Sequence, residues 1–476
     1  MNELIARLRS ICGNANVLTH EDPGADLSAW EQDWRKRSRG RALAVVRPGS
    51  TAEVAAVVRA CAAVPGVSIV PQGGNTGLVV GSVPDDSGTQ VVLSLTRMNA
   101  VRQLDPDNLT LTVEAGCVLQ NLQDVAEKAG FLFPLSLAAE GSCTIGGNLG
   151  TNAGGTQVLR FGNTRDLCLG LEVVTAQGEV WNGLTGLRKD NTGYDLRHLM
   201  IGSEGTLGII TAATMKLYPL PAARALIWLD LPDVTQVIAA HALAQTVFAG
   251  AQTAAELMSP VTLSLVRKHL PEATLPASVE GDGWPRGWAL MLEVSAHDAE
   301  FLQALLQAWC RACEGAGQPV GYLLTSAADQ VAIWAIRKGL AESQKREGVS
   351  IKHDVGLPIS QIPQFLSEAS AALESRFPGV RIVAFGHVGD GNLHFNLSFA
   401  DPAQNAALIA QSQAANAVVY DVVSRLGGSI AAEHGIGQLK PAWLAQHAPA
   451  GSMALMQQIK TALDPQGLMN PGKVLR

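Results

Sequence analysis

Three glycine-rich segments in the first half of the chain constrain most strongly what it can fold into. They are PQGGNTGLVVGS at 71–82, GSCTIGGNLGTNAGG at 141–155 and GSEGTLGII at 202–210, and each lies beside strand-like sequence. Glycine permits positive φ and lets the backbone come close to a ligand, and successive amide N–H groups can cradle phosphate oxygens. One such segment could be a tight turn alone, but three together indicate a nucleotide cofactor.

The motifs of two common nucleotide-binding folds do not occur in the sequence. There is no G-x-x-x-x-G-K-[ST] segment, which disfavours a P-loop NTPase, and no G-x-G-x-x-G segment, which disfavours a Rossmann dinucleotide site. An enzyme that uses a nicotinamide cofactor is therefore not expected.

Helical and strand patterns divide the chain into domains. From residue 50, a helical pattern (TAEVAAVVRACAAV, opened by Ser50 or Thr51) is followed by short strands such as VSIVPQGG, which predicts an α+β domain over 1–220. The two prolines of YPLPAA indicate a boundary. Alternating helices and strands then predict a second domain over 221–425, a sheet covered by helices. The last segment, 426–476, is too short for a domain and is predicted to pack back on the first.

Charge and composition exclude several classes of partner. The net charge is −7 and Lys and Arg are not clustered, so no nucleic acid is expected. No run of 18 apolar residues occurs, so the chain is not expected to be an integral membrane protein. The N-terminus, MNELIARLRSICGNANVLTHEDP, lacks the apolar core of a signal peptide, which predicts a cytoplasmic location. Seven scattered cysteines do not indicate a disulfide framework.

Four ordered motifs carry a resemblance to a known family. PQGGNTGLVVGSVP, GSCTIGGNLGTNAGG, GYDLRHLMIGSEGTLGIIT and NPGKVL resemble the FAD-binding domain of vanillyl-alcohol oxidase-type flavoproteins and, more narrowly, the FAD-dependent D-2-hydroxyacid dehydrogenases. The resemblance spans nearly the whole chain from residue 40 onward. It implies an α+β fold in which a vanillyl-alcohol oxidase-type FAD-binding domain is joined to an α+β substrate (cap) domain with an antiparallel sheet and to a short C-terminal segment.

The resemblance also implies which residues bind FAD. Residues of the first glycine segment would hold the pyrophosphate, those of the second would line the flavin, and Ile209 would lie near the nucleotide end. The predicted cofactor-binding residues are Gln72, Gly73, Gly74, Asn75, Thr76, Gly77, Ser82, Ser142, Gly146, Gly147, Asn148, Asn152 and Ile209. Relatives that bind flavin covalently use a histidine in the first loop, where this chain has glycines, so FAD is expected to be non-covalent. Cys143 could be an attachment point, but a buried structural cysteine is expected.

Two histidines stand on either side of a turn in RIVAFGHVGDGNLHFNLSF. After the turn, Asn392, His394 and Asn396 alternate with apolar residues, so one face of this strand is polar. In one continuous strand His387 and His394 would point to opposite faces, but a reversal at the Gly-Asp-Gly turn would bring them together. Two imidazoles and a carboxylate from elsewhere form a ligand set that zinc accepts, with a fourth position open.

The resemblance assigns roles to these histidines. The same H-x6-H spacing followed by AAEHGIG implies His387, His394 and Glu433 as ligands of zinc or another divalent metal. His434 is implied as the catalytic base. A nearby cation would lower the pKa of this imidazole, so that it can be neutral and accept a proton near pH 7.

A further stretch, WAIRKGLAESQKREGVSIKHD, supplies cations for a substrate carboxylate. The resemblance implies Arg337 and Lys352 as substrate-binding residues, with Asn396 adding a hydrogen bond. Arg can bind a carboxylate through two parallel hydrogen bonds, whereas Lys acts as a point charge. Hydroxyglutarate enzymes tend to have Thr where this chain has Ala341, so Ser343 is considered as a substitute.

The leading expectation is FAD- and metal-dependent oxidation of a small D-2-hydroxyacid. D-2-hydroxyglutarate is the first expected substrate and D-lactate the second. Electrons would pass from FAD to an electron-transfer flavoprotein, a quinone or oxygen, and a homodimer is considered. A glycolate oxidase-type FAD subunit without independent catalysis stays open. A metallohydrolase would leave the glycine segments unexplained, and a transferase of the alkyl-glycerone-phosphate synthase type is disfavoured by the implied metal ligands and Arg337.

Overall fold

A computed structural model describes residues 1–280 and 284–475, in which the chain forms two units. The first unit comprises 1–154, 162–219 and 433–476, and the second comprises 155–161 and 220–432. The change from one unit to the other at 219 and 220 lies within the YPLPAA segment. Residues 426–432, which the sequence assigned to a separate C-terminal segment, belong to the second unit.

The first unit begins with a four-stranded sheet of order β1-β2-β4-β3, in which β2, β4 and β3 are parallel. The helix that follows β2 begins as its sequence predicts, because Ser50 Oγ accepts a hydrogen bond from the N–H of Glu53 at 3.2 Å. The elements are α1 (Asn2–Cys12), a 3₁₀ turn (Asn14–Asn16), β1 (Val17–Leu18), α2 (Ser28–Glu31), β2 (Ala42–Val46), α3 (Thr51–Ala62), β3 (Ser68–Gln72) and β4 (Gln90–Ser94).

An antiparallel sheet of order β5-β6-β10-β8-β9 follows, and β7 pairs with β11. The run LCLGLEVVTAQGEVW forms two of these strands, since a turn at Gly178 divides it. The elements are β5 (Val101–Asp105), β6 (Thr110–Glu114), α4 (Leu119–Lys128), β7 (Phe131–Leu132), α5 (Ile145–Thr151), α6 (Val158–Phe161), α7 (Thr164–Leu167), β8 (Cys168–Val174), β9 (Val180–Gly183), α8 (Leu196–Met200), β10 (Ile209–Lys216) and β11 (Tyr218–Pro219). Of these, α6 belongs to the second unit.

The second unit is built on a seven-stranded antiparallel sheet of order β15-β12-β14-β13-β17-β18-β16. Its elements are β12 (Ala223–Leu231), α9 (Val234–Phe248), a 3₁₀ turn (Ala249–Ala251), β13 (Gln252–Met258), α10 (Pro260–His269), α11 (Ala277–Glu280), β14 (Trp288–Ala296), α12 (Ala299–Ala316), β15 (Tyr322–Leu324), α13 (Ala327–Lys338), α14 (Leu340–Glu347), β16 (Ile351–Gly356), a 3₁₀ turn (Ile359–Gln361), α15 (Ile362–Arg376), β17 (Arg381–His387), β18 (Asn392–Ser398), a 3₁₀ turn (Pro402–Gln404), α16 (Asn405–Ala410) and α17 (Ser412–Arg425).

One segment of this unit, Val234–Ala251, is long and apolar enough to cross a membrane by length and composition, with a mean hydropathy of 1.2. Core helices of soluble proteins pass the same test. Val237, Ala240 and Ala244 are buried, and the ring of Phe248 stacks on Trp309 with centroids 5.4 Å apart. The segment therefore packs against the second unit with one face, and 28% of it is buried.

The last residues complete the first unit with α18 (Pro441–His447) and α19 (Ser452–Leu463). Beyond α19, the chain runs along β3: the N–H of Ile69 donates to Leu468 O and the N–H of Asn470 donates to Ile69 O, both at 2.8 Å. Lys460 Nζ donates to the backbone oxygens of Thr206 and Met469, each at 2.7 Å. These bonds fix the C-terminal segment beside the third glycine segment.

Candidate active site

The first glycine segment is braced by its own polar side chains. Gln72 Nε2 donates to the backbone oxygens of Trp30 at 2.9 Å and Ser82 at 2.7 Å. Asn75, with a φ of 51°, donates to Gln32 O at 2.8 Å, and Ser82 Oγ donates to Asn75 Oδ1 at 3.0 Å. These three predicted cofactor-binding side chains therefore shape the loop, and they leave its backbone available for a phosphate.

The first and second glycine segments pack directly against each other. A Cβ at Gly73 would stand 2.3 Å from Thr144 Oγ1, and one at Gly74 would stand 2.1 Å from Ser142 O, so these positions require glycine. Among the described residues, the buried Thr144 Oγ1 and Asn148 Oδ1 have no hydrogen-bond partner. Buried polar atoms are normally paired. The two orphaned oxygens therefore fit a polar ligand such as FAD.

The other predicted cofactor-binding residues differ in what they can offer. Asn152 ends α5 with a φ of 50°, and its Oδ1 accepts from the N–H of Arg165 at 2.9 Å. Ile209 is 1% exposed and its side chain packs in the core with Ile69 and Val174, so its place near the nucleotide end, through its backbone, stays a prediction. Five more predicted cofactor-binding residues each keep some exposure: Thr76, Gly77, Ser142, Gly146 and Gly147.

Cys143 has the surroundings of a structural cysteine. Its side chain is buried and accepts a hydrogen bond from Asn148 Nδ2 at 3.6 Å. Burial raises the pKa of the thiol. Because the thiolate is the reactive form, this environment does not favour covalent attachment of a flavin.

Glu204, in the third glycine segment, holds the loop that follows Glu433 and His434. Its Oε1 accepts from the N–H of Ile436 at 2.7 Å, and its Oε2 accepts from the N–H of Gly437 at 2.8 Å. Burial raises the pKa of Glu204, although the two amide hydrogen bonds act in the opposite direction. The predicted metal ligand Glu433 and the predicted base His434 lie next to each other, with Oε1 and Nε2 3.8 Å apart.

In the second unit, His387 and His394 lie together on the β17–β18 hairpin. His387 is opposite Asn392, and His394 is opposite Phe385. Residues opposite each other in an antiparallel pair share a face of the sheet, so both imidazoles lie on the same face. Their ring centroids are 5.8 Å apart. The reversal predicted from the glycines is confirmed, and the metal-binding role stays a prediction.

Glu256 of β13 links His387 to Arg337. Its side chain is 0% exposed. Oε1 lies 2.6 Å from His387 Nδ1, and Oε2 accepts from Arg337 Nε at 2.6 Å. Burial opposes ionisation of this carboxyl group, but the charges of Arg337 and His387 and their hydrogen bonds outweigh it and lower the pKa of Glu256. The Arg337 guanidinium also lies over the ring of Phe385, 5.3 Å from its centroid.

Strand β16 adds further polar groups to the same face. Lys352 is opposite Asn396 and Asp354 is opposite His394. Asp354 Oδ1 accepts from Asn392 Nδ2 at 2.8 Å and lies 3.9 Å from His394 Nδ1. We call the following set the polar face: Glu256, Lys352, Asp354, His387, Asn392, His394 and Asn396.

Two predicted substrate-binding residues are buried, whereas a residue that binds substrate needs an available polar atom. Asn396 is 3% exposed, and its Nδ2 donates to Gln344 Oε1 at 2.8 Å, while its Oδ1 has no partner among the described residues. Ser343 is 0% exposed, and its hydroxyl donates to Leu340 O at 2.9 Å within α14. Asn396 keeps an acceptor for a ligand, but the placement of Ser343 does not fit a substrate-binding hydroxyl.

Sequence reasoning missed three carboxylates, the buried Glu256 and Asp354 and the partly buried Glu204. A signal existed for Glu256, because it is the one charged residue in QTAAELM, a strand whose residues are all buried. A charged residue is rarely buried unless it is paired. An isolated charge within an apolar strand therefore indicates partners elsewhere in the sequence.

The domain composition of the chain decides its family. Residues 220–474 match the family described as FAD linked oxidases, C-terminal domain, and residues 42–183 match the family described as FAD binding domain. This chain belongs to the FAD-linked oxidases. As a member of that family it is an FAD-dependent oxidoreductase, and the family predicted from the glycine segments is confirmed.

Relatives of this FAD-linked oxidase match over almost its full length. D-2-hydroxyglutarate dehydrogenase of Xanthomonas citri pv. viticola is 38% identical, over 94% of this chain and 93% of the relative. The mitochondrial D-2-hydroxyglutarate dehydrogenase of Bos taurus is 37% identical, over 93% of this chain and 78% of the relative. The enzyme of that name from Stutzerimonas stutzeri is 34% identical, over 99% and 98%.

Solved structures agree on the fold. p-Cresol methylhydroxylase with bound substrate has a TM-score of 0.78 at 19% identity and covers 99% of this chain and 96% of its own. The 4-ethylphenol oxidase of Gulosibacter chungangensis has a TM-score of 0.71 at 18% identity and covers 100% and 97%. At this identity the likeness concerns the fold alone. The predicted vanillyl-alcohol oxidase-type α+β fold is confirmed.

Proposed function

We propose that this FAD-linked oxidase oxidises a D-2-hydroxyacid, with D-2-hydroxyglutarate as its principal substrate, to the corresponding 2-oxoacid. The observation that carries the proposal is the polar face, where two imidazoles and Lys352 share one side of a sheet and Arg337 is tied to that side through Glu256. Relatives named for D-2-hydroxyglutarate, at 34–38% identity over most of the chain, support the choice of substrate.

The cations beside the polar face suit the carboxylates of such a substrate. Within the described chain, Arg337 donates one protein hydrogen bond, from Nε to Glu256, so both Nη groups are left for a carboxylate. Lys352 lies opposite Asn396 on β16, which β17 and β18 separate from the strand of Glu256. Asn396 Oδ1 is an acceptor that the substrate hydroxyl could use. These groups would bind and orient the hydroxyacid.

The histidines suit a divalent metal. Because Glu256 accepts a hydrogen bond from His387 Nδ1, a neutral His387 has its lone pair on Nε2, as a metal ligand requires. We propose His387, His394 and Glu433 as ligands of zinc or another divalent cation. A bound cation would supply a Lewis acid that favours ionisation of the substrate hydroxyl. His434 is proposed to take the hydroxyl proton.

FAD would supply the acceptor for the hydride from the substrate carbon. We propose that it binds non-covalently, which the buried Cys143 and the glycines at 73 and 74 support. The final acceptor is proposed to be an electron-transfer flavoprotein or a quinone. A cytoplasmic location and a homodimer complete the proposal.

The proposal is tested by anaerobic titration of the purified yellow protein. D-2-hydroxyglutarate, L-2-hydroxyglutarate and D-lactate are added separately, and bleaching of the flavin absorbance is followed by stopped flow. We expect fast bleaching by D-2-hydroxyglutarate, slower bleaching by D-lactate and none by the L-isomer. The D-isomer reaction should stop after treatment with a chelator and return with added zinc.

The control is the same chelator-treated protein reduced by dithionite, which shows whether the flavin is still bound and reducible. Flavin that stays oxidised with every acid would contradict the proposed activity. Bleaching by D-2-hydroxyglutarate that is unchanged in chelator would support the proposed substrate but contradict the proposed metal dependence. Faster reduction by D-lactate than by D-2-hydroxyglutarate would make D-lactate the principal substrate.

A further inference from the structure

Glu256 is placed to act on two predicted site residues at once. It lies on β13, within a strand whose residues are all buried, and no part of its side chain is exposed. Its two oxygens are divided between His387 Nδ1 and Arg337 Nε, each at 2.6 Å. A carboxylate in such a place is costly unless its partners are charged and well aligned.

We propose that Glu256 is a positioning residue that decides which atoms of His387 and Arg337 face the ligands. The inference rests on the proposed function. For His387, an acceptor at Nδ1 fixes the proton there and leaves Nε2 as the ligand atom. For Arg337, an acceptor at Nε occupies the edge of the guanidinium and turns the two Nη groups outward as a fork.

Phe385 completes this arrangement. The guanidinium of Arg337 lies over its ring at 5.3 Å from the centroid, which holds the plane of the fork. The same ring contacts His394, with ring centroids 4.9 Å apart, because the two residues are opposite each other in the hairpin. One carboxylate and one ring thus connect the arginine to both histidines.

The neighbouring Glu293 offers an internal comparison. It is 6% exposed, and it accepts from the hydroxyl of Thr253 at 2.6 Å and from the indole N–H of Trp334 at 3.1 Å. Glu293 is buried like Glu256, but the hydrogen bonds to its carboxylate come from neutral donors. Loss of its charge should therefore affect packing and stability without changing any predicted ligand atom.

Replacing Glu256 with Gln changes the atoms that are presented. The amide oxygen can accept from only one of the two donors, and the amide NH₂ then points at the other. If the NH₂ faces His387, it donates to Nδ1, which moves the ring proton to Nε2 and blocks metal binding there. If it faces Arg337, two donors oppose each other and the fork is displaced.

The test compares full-length, FAD-loaded wild-type, Glu256→Gln, Glu256→Asp and Glu293→Gln proteins. Zinc affinity is measured by competition with a chromophoric chelator, and 2-oxoglutarate affinity is measured by calorimetry on metal-free protein. We expect Glu256→Gln to weaken zinc binding roughly 10- to 100-fold and to weaken 2-oxoglutarate binding as well. Glu293→Gln should bind both as the wild type does while its melting temperature falls.

Glu256→Asp covers the case in which the Gln variant does not fold. It keeps the charge, but its side chain is shorter by one methylene and cannot reach both donors. We therefore expect Glu256→Asp to weaken the binding of either zinc or 2-oxoglutarate. The other ligand should bind more tightly to Glu256→Asp than to Glu256→Gln. Variants at Glu256 that bind zinc and 2-oxoglutarate as Glu293→Gln does would overturn the inference. A wild-type protein that binds neither probe would instead overturn the proposed function.

Discussion

Two glutamates, the partly buried Glu204 of the first unit and the fully buried Glu256 of the second, hold parts of the candidate site in different ways. Glu204 accepts from the backbone N–H groups of Ile436 and Gly437. Glu256 accepts from the side chains of His387 and Arg337. An acceptor of backbone N–H groups fixes the path of a loop whatever side chains that loop carries. An acceptor of side-chain donors fixes the protonation and orientation of those side chains, and therefore their chemistry.

The two carboxyl groups also differ in how burial affects ionisation. Burial is the largest influence on both and opposes the charged form. At Glu204 it prevails, and the pKa is raised, because the hydrogen-bond donors are neutral amides. At Glu256 the guanidinium of Arg337 and the imidazole of His387 reverse the outcome, and the pKa is lowered. The charge of the partners, rather than the depth of burial, decides the direction.

The largest expected effect comes from Arg337, a side-chain partner of Glu256. Arg337→Lys keeps a cation beside Glu256 but removes the fork, so we expect kcat/KM for D-2-hydroxyglutarate to fall roughly 10- to 100-fold, which corresponds to about 1.5–3 kcal/mol for a charged hydrogen bond. Most of the loss should lie in KM. Stopped-flow flavin reduction at several substrate concentrations measures it.

The matched control is Arg346→Lys, since Arg346 is exposed and pairs with Glu342 on the surface of α14. That variant should keep the wild-type KM. If Arg337→Lys also kept the wild-type KM, the guanidinium would serve only the buried ion pair with Glu256. Glu256 would then, like Glu204, have a structural role alone.

A smaller effect is expected for Glu204, whose partners are backbone N–H groups. Glu204→Gln keeps one acceptor for the two amides and turns an NH₂ group toward the other, which should lower the free energy of unfolding by roughly 1–3 kcal/mol. Hydrogen exchange at Ile436 and Gly437 should accelerate. Urea unfolding and exchange mass spectrometry measure these changes, with the exposed Glu179→Gln as control. Unchanged exchange would mean that the loop is held by other contacts.

Local patterns predicted the elements of the fold well. Ser50 caps α3 as its sequence indicates, and the period of two after the glycine turn correctly placed Asn392, His394 and Asn396 on one face. Such features depend on neighbours a few residues apart, so the sequence pattern carries them. The same holds for Gly73 and Gly74, whose missing side chains permit the close approach of two loops.

Contacts over long sequence separations could not be predicted. Glu256 is 81 residues from Arg337 and 131 from His387, and nothing near it in the sequence identifies those partners. The buried position of Ser343 could not be predicted for a related reason. It stands six residues after Arg337, but α13 ends at Lys338 and a new helix begins at Leu340, so the two side chains do not follow one helical repeat.

The smallest expected effect extends the comparison to a third buried carboxylate, Glu347. It accepts from Lys268 Nζ and Arg381 Nη1, each at 2.8 Å, and also contacts His269. Burial opposes ionisation of Glu347, but its hydrogen bonds to these groups and the charge of Arg381 lower its pKa to about 2. The direction matches Glu256 and is opposite to Glu204, as the charge of the partners requires.

A lowered pKa means that the folded state gains stability from ionised Glu347 at pH values above the ordinary carboxyl pKa, and that this stability is lost as the pH falls toward 2. Between pH 5 and pH 4 the loss should be somewhat under about 1 kcal/mol. Glu347→Gln should remove that part of the acid dependence in urea unfolding curves, whereas the exposed Glu342→Gln should retain it.

Glu204→Gln should have the opposite effect. The raised pKa of Glu204 makes stability fall as the pH rises above the ordinary carboxyl pKa. Its replacement should therefore make the loss of stability toward acidic pH steeper. If both variants changed the slope in the same direction, partner charge would not be what distinguishes the buried carboxylates.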